Sequence, residues 1–229
     1  MTVFDLFLKG GIVMWFILAA SLLATAIIIQ KLITLSRVKM DGGKFILQMR
    51  SVLSRGDLSA ALSMCSEAST PLSNILRAGL LKMKSTHQDV KDAVESAARM
   101  EVYKLERGLG LLASVAGIAP LLGFLGTVTG MISAFRVIEV NDGVVNPQLL
   151  ASGIWEALLT TAFGLIVGIP AYFLYNYLTN RVSHFVFETE NSCNDFLDIA
   201  QTEQRKAQVA AKKAQLARQQ GSTQRGTQS

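Results

Sequence analysis

The stretch Leu149–Leu174, LLASGIWEALLTTAFGLIVGIPAYFL, decides how this chain is read. It is a 26-residue apolar run with a single charged residue, Glu156, seven residues after its start. A run of that length crosses a bilayer as one helix. A carboxylate inside such a span costs ~2.5 kcal/mol or more at the helix centre. It is usually kept where it faces a helix-bundle interior or a wet cavity and handles ions or protons.

Two further runs resemble it. Ile12–Ile29 is polar only at Ser21 and Thr25, is closed by Lys31 and carries Trp15 near its start. Leu109–Phe135 lies between Arg107 and Arg136. The composition agrees with a membrane protein bearing polar extensions, since 50% of the 229 residues are hydrophobic and 17% charged. The net charge of +5 fits cytoplasmic loops and anionic lipid better than nucleic acid. Cys65 and Cys193 are the only cysteines and lie far apart, which excludes a CxxC motif and a disulfide framework. Asp5 and Lys9 ahead of a long apolar segment argue against a secretory signal.

Lysine and arginine orient the spans. Twelve lie from Ser36 to Arg107 and seven after Tyr177, against one in the 136–148 loop and one, Lys9, ahead of the first span. The positive-inside rule places 36–107 and the tail in the cytoplasm, with the N-terminus and the 136–148 loop outside. The expected fold is an all-α membrane protein with three transmembrane helices, two of them extended far into the cytoplasm, and a helical cytoplasmic region. The divisions are 1–35 (periplasmic N-terminus and first span), 36–107 (cytoplasmic helices), 108–136 (second span) and 137–148 (short outer loop). They continue with 149–177 (third span), 178–204 (helix extension) and 205–229 (basic, partly disordered tail).

Local signals refine these limits. Asn146-Pro147 reads as an N-cap and first-turn proline, and Asn141-Asp142-Gly143 as a turn. A continuous helix is expected over about 88–138. Amphipathic stretches at Lys44–Leu53, Leu58–Cys65 and Leu72–Met83 are separated by Gly56-Asp57 and Ser69-Thr70-Pro71, each with helix-start character. This region offers no Gly-rich phosphate loop and no catalytic triad, so no enzyme is expected. From Arg205 the tail has six basic residues and no acid. It is read as helical to Gln220 and disordered from Gly221, either simply solvated or touching anionic lipid.

Inside the spans, Gly126/Gly130 and Gly164/Gly168 are small-xxx-small pairs that allow close helix approach. Pro120 and Pro170 are expected to kink their helices and free carbonyls. Thr160, four residues after Glu156, shares its helical face; Thr161 is rotated further round. Thr127, Thr129 and Ser133 are polar positions of the second span. These hydroxyls serve either the proton path or simply the carbonyls of the preceding turn and neighbouring helices. The spans supply one carboxylate and no histidine, and His87 and His184 lie outside them. No metal site and no cofactor is therefore expected. Three helices enclose little interior, so a cavity requires a homo-oligomer.

The segments Ala119–Ile132 (APLLGFLGTVTGMI) and Gly153–Leu165 (GIWEALLTTAFGL) carry a resemblance that extends over about residues 5–200. So do Ile169-Pro170-Ala171, Tyr175-Asn176, Gly10-Gly11, Gly56-Asp57 and Ser69-Thr70-Pro71-Leu72. The chain resembles the MotA/TolQ/ExbB proton-channel family, in its ExbB/TolQ branch and ExbB more than TolQ. Trp155 is bulkier than the small residue expected beside the acid. The resemblance implies a homopentamer in the bacterial inner membrane around an ExbD/TolR-like single-span partner that brings a membrane aspartate. It further implies a proton-motive-force motor that drives a TonB- or TolA-like protein for outer-membrane transport or envelope maintenance. It assigns Glu156 as the pore acid and Thr127 and Thr161 as the pore threonines, with Thr160 held in reserve from spacing. The competing reading is a non-conducting scaffold whose acid pairs with a partner helix.

Overall fold

The computed structural model describes Phe7 and residues 10–37, 42–140 and 147–226. The turn expected at Asn141-Asp142-Gly143, the cap at Asn146 and the cation Lys9 fall outside these residues. The described elements are helices: α1 (Gly11–Arg37), α2 (Gly42–Ser54), α3 (Leu58–Ala68), α4 (Pro71–Leu81), α5 (His87–Glu106), α6 (Leu109–Val140) and α7 (Pro147–Gly226). Three helical stretches are long and apolar enough to cross a membrane, beginning at Gly11, His87 and Leu150. The chain divides into two compact units. One comprises residues 1–36 and 106–182, the other 37–105 and 183–229.

The first unit holds α1, α6 and the first part of α7. On α1 the buried residues Met14, Ile17, Ala24, Lys31 and Leu35 recur at three-, four- and seven-residue steps. They form one narrow seam of the kind helices use to pack lengthwise. The rest of the surface is apolar and exposed, with Ile12, Phe16, Leu22 and Ile33 facing out. An outward apolar shell suits lipid or a further chain, not water. Pro147 opens α7, where its missing N–H costs nothing.

The continuous helix expected over 88–138 is interrupted. Gly108 adopts φ +94 between α5 and α6, and the Gly108 carbonyl accepts from Leu112 N at 3.1 Å to start α6. A glycine takes this left-handed conformation without a Cβ penalty. The signal was present, because Arg107-Gly108 is a basic residue followed by the glycine that ends helices. At the other end, α7 continues to Gly226, past the limit at Gln220 expected from composition.

The second unit holds α2–α5 and the remainder of α7. Its core draws Phe45, Ile46, Met49 and Leu53 from α2, and Ala61 and Cys65 from α3. Leu72, Ile75, Leu76 and Leu80 come from α4, Val90 and Val94 from α5, and Cys193, Phe196 and Ala200 from α7. Their spacing puts each set on one helix face. Phe196 fits because Gly79 has no side chain: a Cβ there would lie 2.6 Å from Phe196 Cε1 and 2.7 Å from Val94 Cγ2.

The starts of these helices are chemically specified. Asp57 Oδ1 accepts from Ala60 N at 2.9 Å and from the Ser59 hydroxyl at 2.8 Å. Thr70 and Ser73 form a reciprocal capping box at the first turn of α4. At α5, Thr86 Oγ1 accepts from Asp89 N at 3.2 Å while Asp89 Oδ2 accepts from Thr86 N at 3.0 Å. Each box satisfies N–H groups that the helix itself cannot.

Candidate functional site

Within the first unit α6 and α7 run antiparallel along a seam of small residues. On α6 the seam is formed by the buried small residues Ala119, Gly123, Gly126, Gly130 and Ala134. On α7 they are Gly153, Ala157, Thr160, Gly164, Gly168 and Ala171. A Cβ on Gly130 would lie 2.8 Å from Gly153 O and 2.9 Å from Ala157 N. One on Gly164 would lie 2.7 Å from Ala119 O and 2.9 Å from Gly123 Cα. Backbone therefore meets backbone, the arrangement that drives helix association in lipid. Gly126 faces the Thr160 side chain, and Gly168 faces the Pro120 ring. Gly123 and Gly153, which the sequence reading had not paired, belong to the same seam. Their signal was the extended recurrence of small residues Gly153, Ala157, Gly164 and Gly168.

Pro120 and Pro170 both lie inside helices that continue through them. Having no N–H, Pro120 leaves Ala116 O without its usual helical donor. That oxygen sits 3.3 Å from where a Cβ on Gly168 would be.

Glu156 lies beside this seam, half-buried, one residue before the buried Ala157. Its carboxylate rests against Gly11 at the start of α1, where a Cβ would collide with Glu156 Oε1. From Gly10 to Gln30 α1 has no charged residue, and α6 has none from Leu109 to Phe135. Among the described residues, Glu156 is the one carboxyl in these apolar stretches. Trp155, next to it, is exposed.

The threonines separate by role in packing. Thr160 is fully buried in the seam, and its hydroxyl donates to Glu156 O at 3.0 Å and Ala157 O at 2.9 Å. Thr161 donates across the hairpin to Gly123 O at 3.0 Å. Thr127 lies four residues after Gly123, on the same helix face, and donates to Phe124 O at 2.6 Å. Thr161 thus reaches a carbonyl of α6 one helical turn before Thr127. Thr129 donates to Gly126 O at 3.1 Å.

Among the described residues no group of three or more His, Cys, Asp or Glu could hold a metal ion. His184 Nδ1 lies 3.6 Å from Glu188 Oε1, and both belong to the second unit.

A glycine-seamed hairpin of apolar helices, a third apolar helix and one acid between them define a helical membrane protein with a carboxylate set among its apolar spans. The chain belongs to the MotA/TolQ/ExbB proton channel family, which matches residues 67–191. It is 30% identical over 190 residues to a biopolymer transport protein ExbB homolog of Methanothermobacter thermautotrophicus, covering 82% of this chain and 67% of that protein. It is also 30% identical over 210 residues to the Tol-Pal system protein TolQ of Haemophilus influenzae, covering 85% of this chain and 92% of that protein. The solved structure of C. jejuni MotAB resembles it with a TM-score of 0.58 at 18% identity, over 80% of this chain and 74% of that one. At that identity the likeness speaks for the fold alone.

Proposed function

We propose that this chain is the proton-channel subunit of an inner-membrane motor driven by the proton motive force. It assembles as a homopentamer around an ExbD/TolR-like single-span partner. The machine energises a TonB- or TolA-like protein for outer-membrane transport or envelope maintenance. Glu156 carries the proton, and Thr127 and Thr161 line its path. The glycine seam of Gly126, Gly130, Gly164 and Gly168 holds the two path-bearing helices together. The N-terminus and the loop after α6 face the periplasm, while the basic second unit and tail face the cytoplasm and anionic lipid.

One observation carries this reading. Glu156 is the one charged residue of the apolar run Leu149–Leu174, it lies against Gly11 at the start of the apolar helix α1, and α6 carries no charge from Leu109 to Phe135. Such a carboxyl is a functional residue by default, and repeated round a ring it offers successive sites to a proton. A proton crossing there gains about 2.3 kcal/mol per 100 mV. The names of the ExbB and TolQ relatives support a role in energy-coupled transport.

The test is proton flux in liposomes containing the chain and its single-span partner. Glu156→Gln is expected to abolish flux while the complex still assembles. Normal flux in that variant refutes the assignment. Absence of flux in the intact wild-type complex favours the scaffold reading.

A further inference from the structure

We infer that Gly11 is a positioning residue for the Glu156 carboxylate: the side chain it lacks is the space the acid occupies. The inference rests on the proposed role of Glu156 and adds a residue of another helix to its control.

The geometry is specific to the end of the acid. A Cβ on Gly11 would collide with Glu156 Oε1, lie 3.0 Å from Cδ and only 3.8 Å from Cγ. It is therefore the carboxylate, and not its methylene stem, that lies on the Gly11 backbone. Gly11 also holds φ +63, where L side chains are strained. The neighbouring Gly10 differs, because a Cβ there would meet the flexible end of Met14. Among the described residues, α1 has no charge before Lys31 and α6 has none from Leu109 to Phe135. Arg136 and Glu139, near the end of α6, are the nearest charges to this stretch on that helix.

Alanine at position 11 forces the carboxylate off its seat. Shortening the acid to aspartate withdraws it by one carbon–carbon bond, about 1.5 Å, which clears an added methyl group. The left-handed backbone strain is unaffected by the shorter acid. The two causes therefore separate in a double-mutant cycle.

The experiment measures proton flux through the full complex in liposomes for wild type, Gly11→Ala, Glu156→Asp and the double variant. Gly11→Ala is expected to lower flux about tenfold in the Glu156 background, as misplacement of a reacting group does. In the Glu156→Asp background the same change should lower it markedly less, by the backbone-strain share alone. An equal loss in both backgrounds, or no loss in the first, overturns the inference. A second arm needs neither conduction nor the partner. The thermal midpoint of the full chain in detergent should fall more on Gly11→Ala when position 156 is Glu than when it is Ala. Equal falls overturn the inference. If wild type conducts no protons, the proposed function fails while this thermal cycle still decides the contact.

Discussion

Replacing Gly164 with alanine adds one methyl group where two helix backbones touch. That Cβ would lie 2.7 Å from Ala119 O, 2.9 Å from Gly123 Cα and 3.1 Å from Gly123 N. No flexible side chain can yield, so α6 must retreat by about 0.7 Å to reach ordinary contact at 3.4 Å. The Thr161 Oγ1 to Gly123 O distance then grows from 3.0 Å to about 3.7 Å, beyond hydrogen-bond range. Overpacking of this kind costs about 1–3 kcal/mol. The lost interhelical hydrogen bond adds about 0.6 kcal/mol. Alanine's better helix propensity returns about 1 kcal/mol, leaving a net loss of about 0.6–2.6 kcal/mol. Equilibrium unfolding of the full chain in mixed micelles, titrated with a denaturing detergent, measures it. Gly117→Ala is the control, since nothing lies within 4 Å of a Cβ there. It should be neutral or stabilising by up to about 1 kcal/mol. The reasoning fails if the two variants behave alike, or if Gly164→Ala is as stable as wild type.

The remaining expectations concern the second unit. Phe196→Ala should destabilise the chain by about 3–5 kcal/mol, because the ring is fully buried against Gly79 and Val94; urea-induced unfolding monitors this, and a loss below about 1 kcal/mol contradicts the packing. The backbone N–H of Ala60 holds the Asp57 carboxyl below its ordinary 3.8, and the Thr86 hydroxyl does the same for Asp89. With folded values below unfolded ones, both contributions are complete above pH 3.8 and fade as pH falls through the folded values. Amide protection at the starts of α3 and α5, taken relative to the intrinsic exchange rate at each pH, should accordingly fall in acid, and Asp57→Asn with Asp89→Asn should flatten that dependence. Burial pushes the Cys65 thiol up to about 11 and the Cys193 thiol up to about 12. Iodoacetamide at pH 8 should label both only after unfolding, and rapid native labelling would contradict their burial.

Much of the local architecture was legible because its causes are local. Gly56-Asp57 and Ser69-Thr70-Pro71 announced the starts of α3 and α4, since capping depends on residues three apart. The Arg107-Gly108 break was also written locally and was missed under the strong periodicity of its flanks. The candidate site was harder. Spacing from Glu156 ranked Thr160 first, but a helical face has no outward or inward direction until another helix covers it. The Gly126 approach buries Thr160, while Thr161, one residue on, reaches Gly123 O.

The sequence alone determined that three apolar stretches exist, that one contains a lone acid and that a polar helical region separates the first two. Hydropathy, caps and charge are properties of neighbouring residues and sum along the chain. Only the tertiary structure decided which small residues meet across the hairpin, and that Glu156 ends against Gly11, 145 positions earlier in the chain. Contacts of that kind depend on the rotation and register of whole helices. A single Cβ at the crossing point is enough to change them.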